Sequence, residues 1–292
     1  MTRVMFDSVA RLQTRSAVYP IDYKRRSLLI LLTAAALLMM LIMAGWLTNP
    51  DALSVQLDQR NLPPSFQHLF GTDWLGRDMF VRVMKGLLLS IQTGLAGAVC
   101  SAMIAAVLGI ASALFGRQAD RIITWLTDLF LSVPHLVALI LVAFVCGGGM
   151  KGIVIGIALT HWPALARLIR AEAMQLMAAQ YVQVSRRLGR SLFWIARRHM
   201  LPHLLPQLTV GLILLFPHAI LHEAAVTFIG LGLPPHQPAI GIILSESMRY
   251  LSSGMWWLAV LPGAALLAAV RAFDVIGSHT KRLLDSQQYE RL

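Results

Sequence analysis

The sequence predicts an all-α, polytopic membrane protein with six transmembrane helices. Three observations predict it. Hydrophobic residues make up 57% of the chain and charged residues only 13%, where a soluble domain carries about 25% charged residues. Apolar runs of about 20 residues recur, enough to cross about 30 Å of hydrocarbon at about 1.5 Å per residue. The basic residues, finally, lie between those runs. This composition excludes a soluble enzyme and a disordered tail. A formal charge of +11 would suggest nucleic acid only if it were gathered on an exposed soluble face, so no nucleic-acid partner is expected.

The elements follow in order. Residues 1–27 form a basic N-terminal segment, and residues 28–47 the first span, Leu28 to Leu47. With no small-x-small cleavage site, it reads as an uncleaved anchor rather than a signal peptide. An external segment, residues 48–86, carries Asn49-Pro50-Asp51, Pro63-Pro64 and the run Gly71-Thr72-Asp73-Trp74-Leu75-Gly76-Arg77-Asp78. Asp78 and Arg82, four apart, are expected to pair across one helical turn.

A core over residues 87–280 then holds spans at Leu87 to Phe115, Ile122 to Cys146, Gly152 to Leu168, Leu204 to Leu221 and Trp256 to Ile276. Residues 281–292 form a tail. The fourth span is short and interrupted by Trp162-Pro163. Small residues four apart in the second span, Gly94, Ala98, Ala102 and Ala106, continue in Gly109 and Ala113, and Gly152 and Gly156 do the same in the fourth; such stripes let helices approach closely in lipid. Cys100 and Cys146 fall inside apolar runs and read as inert core thiols. Arg271 and Asp274, three apart, are expected to pair locally.

Orientation follows from Lys and Arg. With the N-terminus inside, only Arg60, Arg77, Arg82, Lys85, Lys151 and Arg249 of the 25 basic residues fall outside. The positive-inside rule therefore places both termini in the cytoplasm.

The inner stretch from Arg167 to His203 is basic, helical in spacing and broken at Gly189 and Pro202. Leu176, Met177, Tyr181 and Val184 recur at helical intervals, and Phe193, Trp194 and Ile195 follow the glycine. Two readings fit: a knob for a groove in a cytoplasmic partner, or an interfacial helix laid on anionic lipid by Arg186, Arg187 and Arg190.

Tyr181-Val182-Gln183-Val184-Ser185-Arg186-Arg187-Leu188-Gly189, followed by His199-Met200-Leu201-Pro202, resembles the cytoplasmic coupling motif of permease subunits of ABC importers. The external Gly-Thr-Asp-Trp-Leu-Gly-Arg-Asp run, the stretch Glu223 to Gly232 and Pro262-Gly263 are similar to the second permease subunit of the peptide and nickel importers. The resemblance extends from about Leu28 to Asp285. It implies a type I importer permease core, like that of the methionine permease, with coupling helices at about residues 170–200, in a bacterial inner membrane.

Tyr181, Gln183, Val184, Ser185, Arg186, Leu188, Gly189, Leu201 and Pro202 would then dock the ATPase. Gln183 stands where the family has an acid, and Val184 and Ser185 stand where it has alanines, so docking falls to the backbone turn and apolar face. The implied partners are a second homologous permease, two cytoplasmic ATPase subunits, an external substrate-binding protein and the bilayer.

The chain needs no cofactor of its own, ATP and Mg belonging to the partners. Gly147-Gly148-Gly149-Met150-Lys151 lacks the spacing of a phosphate loop, and His222-Glu223-Ala224-Ala225-Val226 lacks the second histidine of a zinc-protease helix. An ATP-independent channel or secondary transporter would be expected to show an internal inverted repeat, which the sequence lacks.

Polar groups within spans are functional candidates by default. His218 and His222 share one helix face beside Glu223, His161 lies beside Trp162, and Asp128 and His135 fall in the third span. Neutral imidazole suits nickel, copper and zinc. His161, His218, His222 and Glu223 are therefore the candidate pathway residues, passing a metal without tight binding. Thr160-His161-Trp162 and His218-x-x-x-His222 resemble the nickel branch of the family. The expected cargo is nickel, another divalent transition metal or a chelate, with short peptides as the alternative.

Overall fold

The structure is a computed structural model and describes residues 20–49 and 53–289; the basic residues expected at Arg3, Arg11, Arg15 and Arg291 lie outside it. The described residues are helical, joined by loops, and pair as strands only at one bridge between Thr72 and Asp78. Ten helices are labelled in chain order: α1 Pro20–Leu47, α2 Met79–Leu114, α3 Gly116–Ser132, α4 His135–Val145, α5 Gly149–Ala178, α6 Gln180–Arg187, α7 Leu192–Ile195, α8 Leu201–Phe228, α9 Ile240–Leu251 and α10 Trp257–Tyr289. Five helical stretches are long and apolar enough to cross a membrane, six when α3 and α4 count as one.

Helix α5 lies at the centre, with α2 along its length. Its most apolar window is 67% buried, against 11% for α1, which leaves most of its surface to lipid. The α2–α5 contact depends on missing side chains. A Cβ on Gly97 would stand 2.7 Å from Ile157 Cβ, and one on Gly109 would stand 2.8 Å from Ile169 Cγ2. The small-residue stripe thus sets how near two backbones can come, as packing in lipid requires. Two apolar clusters fill the bundle. One joins α1, α2, α4, α5, α8, α9 and α10 around Leu87, Ile220 and Ile243; the other joins α2, α5 and the 180–208 region around Ile169, Ile195 and Met200.

Several expected elements are corrected. The third span, Ile122 to Cys146, is a pair of helices bent by 99°. Pro134 has no N–H to continue α3 and pushes Val133 into extended backbone, φ −87° and ψ 136°, so Pro134 caps a new helix instead. The fourth span is neither short nor interrupted: α5 runs 30 residues through Pro163. The neighbours of Pro163 in sequence, Trp162, Leu165 and Ala166, are buried against α2 and α8, the setting in which membrane helices tolerate proline. The second span begins earlier, at Met79, and the fifth runs from Leu201 to Phe228 after one π-helical turn, Ala196–Met200. Helix α9, twelve residues long, had no predicted counterpart. Both cysteines are free, but Cys146 is exposed rather than a core thiol.

Candidate functional site

Three constellations stand out, one at each end of the bundle and one between them.

The first is a knob at the end of the bundle beyond α5. Leu176 and Met177 belong to α5, which ends at Ala178, so the expected amphipathic helix is the shorter α6. Val182, Ile195 and Met200 are fully buried beneath the knob. Tyr181, Val184, Leu188 and Phe193 face outward, Leu188 and Phe193 being 77% and 74% exposed. Between α6 and α7 the chain turns at Gly189 with φ +80°, where a Cβ would meet nothing within 4 Å. Glycine is used there for its conformation and not for space.

His199 locks the two short helices together. Its Nε2 lies 3.0 Å from Ser185 Oγ, which donates to the Tyr181 carbonyl, and its ring packs edge-on against Tyr181 and Trp194. Gln183 Nε2 donates back to the Ala178 carbonyl, a local bond that the acid of the usual motif could not make. Arg190 lies over the Trp194 ring at 4.8 Å, and Arg186, Leu201 and Pro202 are exposed.

The second is a cavity of about 390 Å³ between α3, α4, α5 and α8, lined by His135, Thr160, His161, His218 and His222 among apolar neighbours. The break at Pro134 puts His135 at the start of α4, facing α5. His135 Nε2 stands 3.1 Å from Nε2 and 3.2 Å from Nδ1 of the His161 ring, and His161 Nε2 stands 3.0 Å from His222 Nδ1. One ligand atom from each of the three imidazoles lies within 4.8 Å of the others. His218 lines the same cavity and is exposed. Glu223 is not brought there: it is fully buried, its Oε1 accepting from Thr227 Oγ1 at 2.9 Å. One residue beyond His222 on a helix is about 100° around the axis, which is why the neighbour in sequence faces another way. Asp128 is also outside the cluster, paired with Arg167 at 2.7 Å.

The third constellation closes the opposite end. Asp78 does not pair with Arg82; it caps α2, accepting from Val81 N at 3.0 Å, and meets His68 Nδ1 at 2.8 Å. Arg82, 3% exposed, instead joins Asp73 at 3.1 Å and Glu246 of α9 at 2.6 Å. Asp73 also accepts from the backbone of Leu75 and Arg77 and from Arg77 Nε. The loop, the start of α2 and α9 are thus tied through one buried guanidinium. Arg271 and Asp274 pair locally, at 3.0 Å.

In the sequence, His199 and Glu246 carry no site role, and His135 counts only as a polar group of the third span. His135 carried a signal, a histidine directly after proline within an apolar run, but its partners depend on the bend.

Residues 105–282 match the family described as binding-protein-dependent transport system inner membrane component. A Brucella suis protein provisionally named a peptide transport system permease is 36% identical over 84% of this chain and 82% of its own length. An Escherichia coli K12 protein named a probable D,D-dipeptide transport system permease is 35% identical over 84% of this chain and 82% of its own. The dipeptide transport system permease of Bacillus subtilis is 29% identical over 84% and 76%. Among solved structures, a chain of the MetNI methionine ABC transporter superposes with a TM-score of 0.53 at 17% identity, covering 69% of this chain and 97% of that one; this likeness concerns the fold.

Proposed function

Since the chain belongs to the family of binding-protein-dependent transport system inner membrane components and is a permease subunit of an ABC importer, we propose that it forms half of the translocation pathway for short peptides. The observation that carries this reading is the naming of relatives over four-fifths of the chain as peptide or dipeptide permeases. They favour peptide cargo over the expected nickel. The proposed partners are a second, homologous permease, two cytoplasmic ATPases supplying hydrolysis with ATP and Mg, and an external binding protein. The proposed orientation puts both termini and the knob inside the cell.

In this reading the knob sits in a groove of the ATPase, presenting Tyr181, Val184, Leu188 and Phe193. Closure of the ATPase pair displaces α6 and α7, and the buried anchors Val182, Ile195 and Met200 transmit the displacement to α5 and α8. Two packings of the same helices, biased by ATP and by the loaded binding protein, are sufficient for alternating access. The arrangement at Asp73, Arg82 and Glu246 makes the opposite end one rigid body on which the binding protein can bear.

The test is dipeptide uptake in vesicles by the complete complex. Wild type accumulates dipeptide only with ATP inside and the binding protein outside. Gly189→Leu forces a bulky side chain into positive φ, at a local cost of about 1–3 kcal/mol. The variant complex still assembles, and its uptake falls more than tenfold. Normal transport by this variant would remove the knob assignment, and uphill uptake by the lone chain would remove the importer reading.

A further inference from the structure

We infer that a second cavity, at the end of the bundle opposite the knob, is a receiving site for a zwitterionic dipeptide, with Arg249 taking its C-terminal carboxylate and Glu246 its N-terminal ammonium. The inference rests on the peptide-importer reading and adds a place where this chain itself reads the cargo.

The cavity holds about 370 Å³, at the small end of the range, about 300–1,000 Å³, of small-molecule sites. That volume suits a dipeptide or tripeptide and excludes a long one. Leu233 and Pro235 give it an apolar wall, Trp74 an aromatic one, and Glu246, Arg249 and Tyr250 of α9 a polar one.

The charges on that polar wall are arranged for a visitor. Glu246 and Arg249, three apart on one helix, are neighbours that ordinarily pair with each other. Here Glu246 instead turns a buried Oε2 to Arg82 Nη2 at 2.6 Å, with Arg77 Nη2 at 3.7 Å. Arg249 is exposed and makes no ion pair among the described residues. Asp73 and Glu246 balance Arg77 and Arg82, so Arg249 gives the cavity a positive excess that draws an anionic group. A guanidinium presents paired, planar donors, and a carboxylate fits them.

The ammonium end has its own acceptor. Oε2 of Glu246 is buried while 28% of the side chain stays exposed, which leaves Oε1 to the cavity.

Spacing then selects the length of the peptide. Helical side chains three apart have Cβ atoms about 5–6 Å from each other. In a dipeptide the two Cα atoms are about 3.8 Å apart, with the ammonium nitrogen and carboxylate carbon each about 1.5 Å beyond, so the charges lie about 5–7 Å apart. A free amino acid carries both charges on one Cα, too close to meet both side chains, and a long peptide carries them too far apart. Helix α9 also packs on α8, which lines the histidine cavity, so cargo held here is already seated against the bundle.

The test measures binding to the complete complex in lipid nanodiscs without the binding protein, which would otherwise read the termini itself. Saturation-transfer NMR with Ala-Ala, Ala-Ala amide and N-acetyl-Ala-Ala gives the three dissociation constants. Wild type binds each blocked peptide about tenfold more weakly than Ala-Ala, the scale of one lost charged hydrogen bond. Arg249→Gln weakens Ala-Ala about as much and no longer distinguishes it from its amide, and Arg249→Lys restores part of the difference. These two variants break no described ion pair, and the ATPase subunits still copurify. Glu246→Gln loses the distinction between Ala-Ala and its N-acetyl form. Absence of Ala-Ala binding to wild type, or an Arg249→Gln complex that still prefers Ala-Ala to its amide, overturns the site. If the same wild-type complex imports Ala-Ala into vesicles with ATP and the binding protein, the importer reading then stands without it. Failure of that uptake removes the peptide reading and, with it, this site.

Discussion

At the scale of single residues, the positions that matter are set by hydrogen-bond bookkeeping more than by residue type. Arg82 shows it most plainly. It is nearly buried and answers Asp73, 2% exposed, and Glu246 together. Without Arg82, Asp73 and Glu246 are answered among the described cations only by Arg77, which holds Asp73 at 2.7 Å and stands 3.7 Å from Glu246, so the loss stays below the ~3–5 kcal/mol of a buried charge left wholly uncompensated. Arg82→Met should therefore lower the thermal midpoint of the complex clearly, whereas Arg271→Met, which breaks the exposed pair with Asp274, should leave it within about the 1 kcal/mol typical of surface pairs.

At the scale of elements, the apolar runs were legible in the sequence and their breaks were only half so. Runs of sufficient length place α1, α2, α5, α8 and α10 because lipid demands length and apolarity whatever the neighbours are. Proline does not carry that information by itself. Pro134 ends a helix and Pro163 does not, and the difference lies in packing: α5 around Pro163 is buried among α2, α3 and α8, whereas the junction of α3 and α4 around residues 132–134 is exposed. Helix α9 was missed because twelve residues fall short of a span and its buried face, Ile240, Ile242 and Ile243, meets α2, α8 and α10 only in three dimensions.

The knob was legible because amphipathic spacing and a glycine stop are local signals. The imidazole cluster was legible in part. His218 and His222 share a helix face through their spacing and His161 sits within an apolar run, but His135 joins them only through the bend at Pro134. Glu223 fails as a pathway group for a geometric reason, its direction around α8.

At the scale of the whole molecule, the two ends differ in a way that predicts how the chain sits in the membrane. One end carries the knob, with its exposed Arg186, Arg187, Arg190, Arg197 and Arg198. The other carries the 53–78 loop, in which Asp58, Asp73 and Asp78 accompany Arg60 and Arg77 and leave little net charge. Cytoplasmic loops hold the excess of Lys and Arg, so the knob end should be inside.

The two reporters are a cysteine at Phe66, on the loop and fully exposed, and one at Ser191, exposed beside the Gly189 turn. They belong in a chain whose free Cys100 and Cys146 have been replaced by alanine. In intact spheroplasts, a membrane-impermeant maleimide should label F66C at once and S191C only after permeabilisation. Expressing the ATPase partners should then slow S191C labelling in permeabilised cells, since the docked groove covers the knob, while F66C stays unchanged. Labelling of S191C in intact cells would invert the chain, and with it the coupling route from knob to cavity. Inside placement without protection by the ATPase would instead leave α6 and α7 lying on the inner leaflet, where their arginines face anionic lipid.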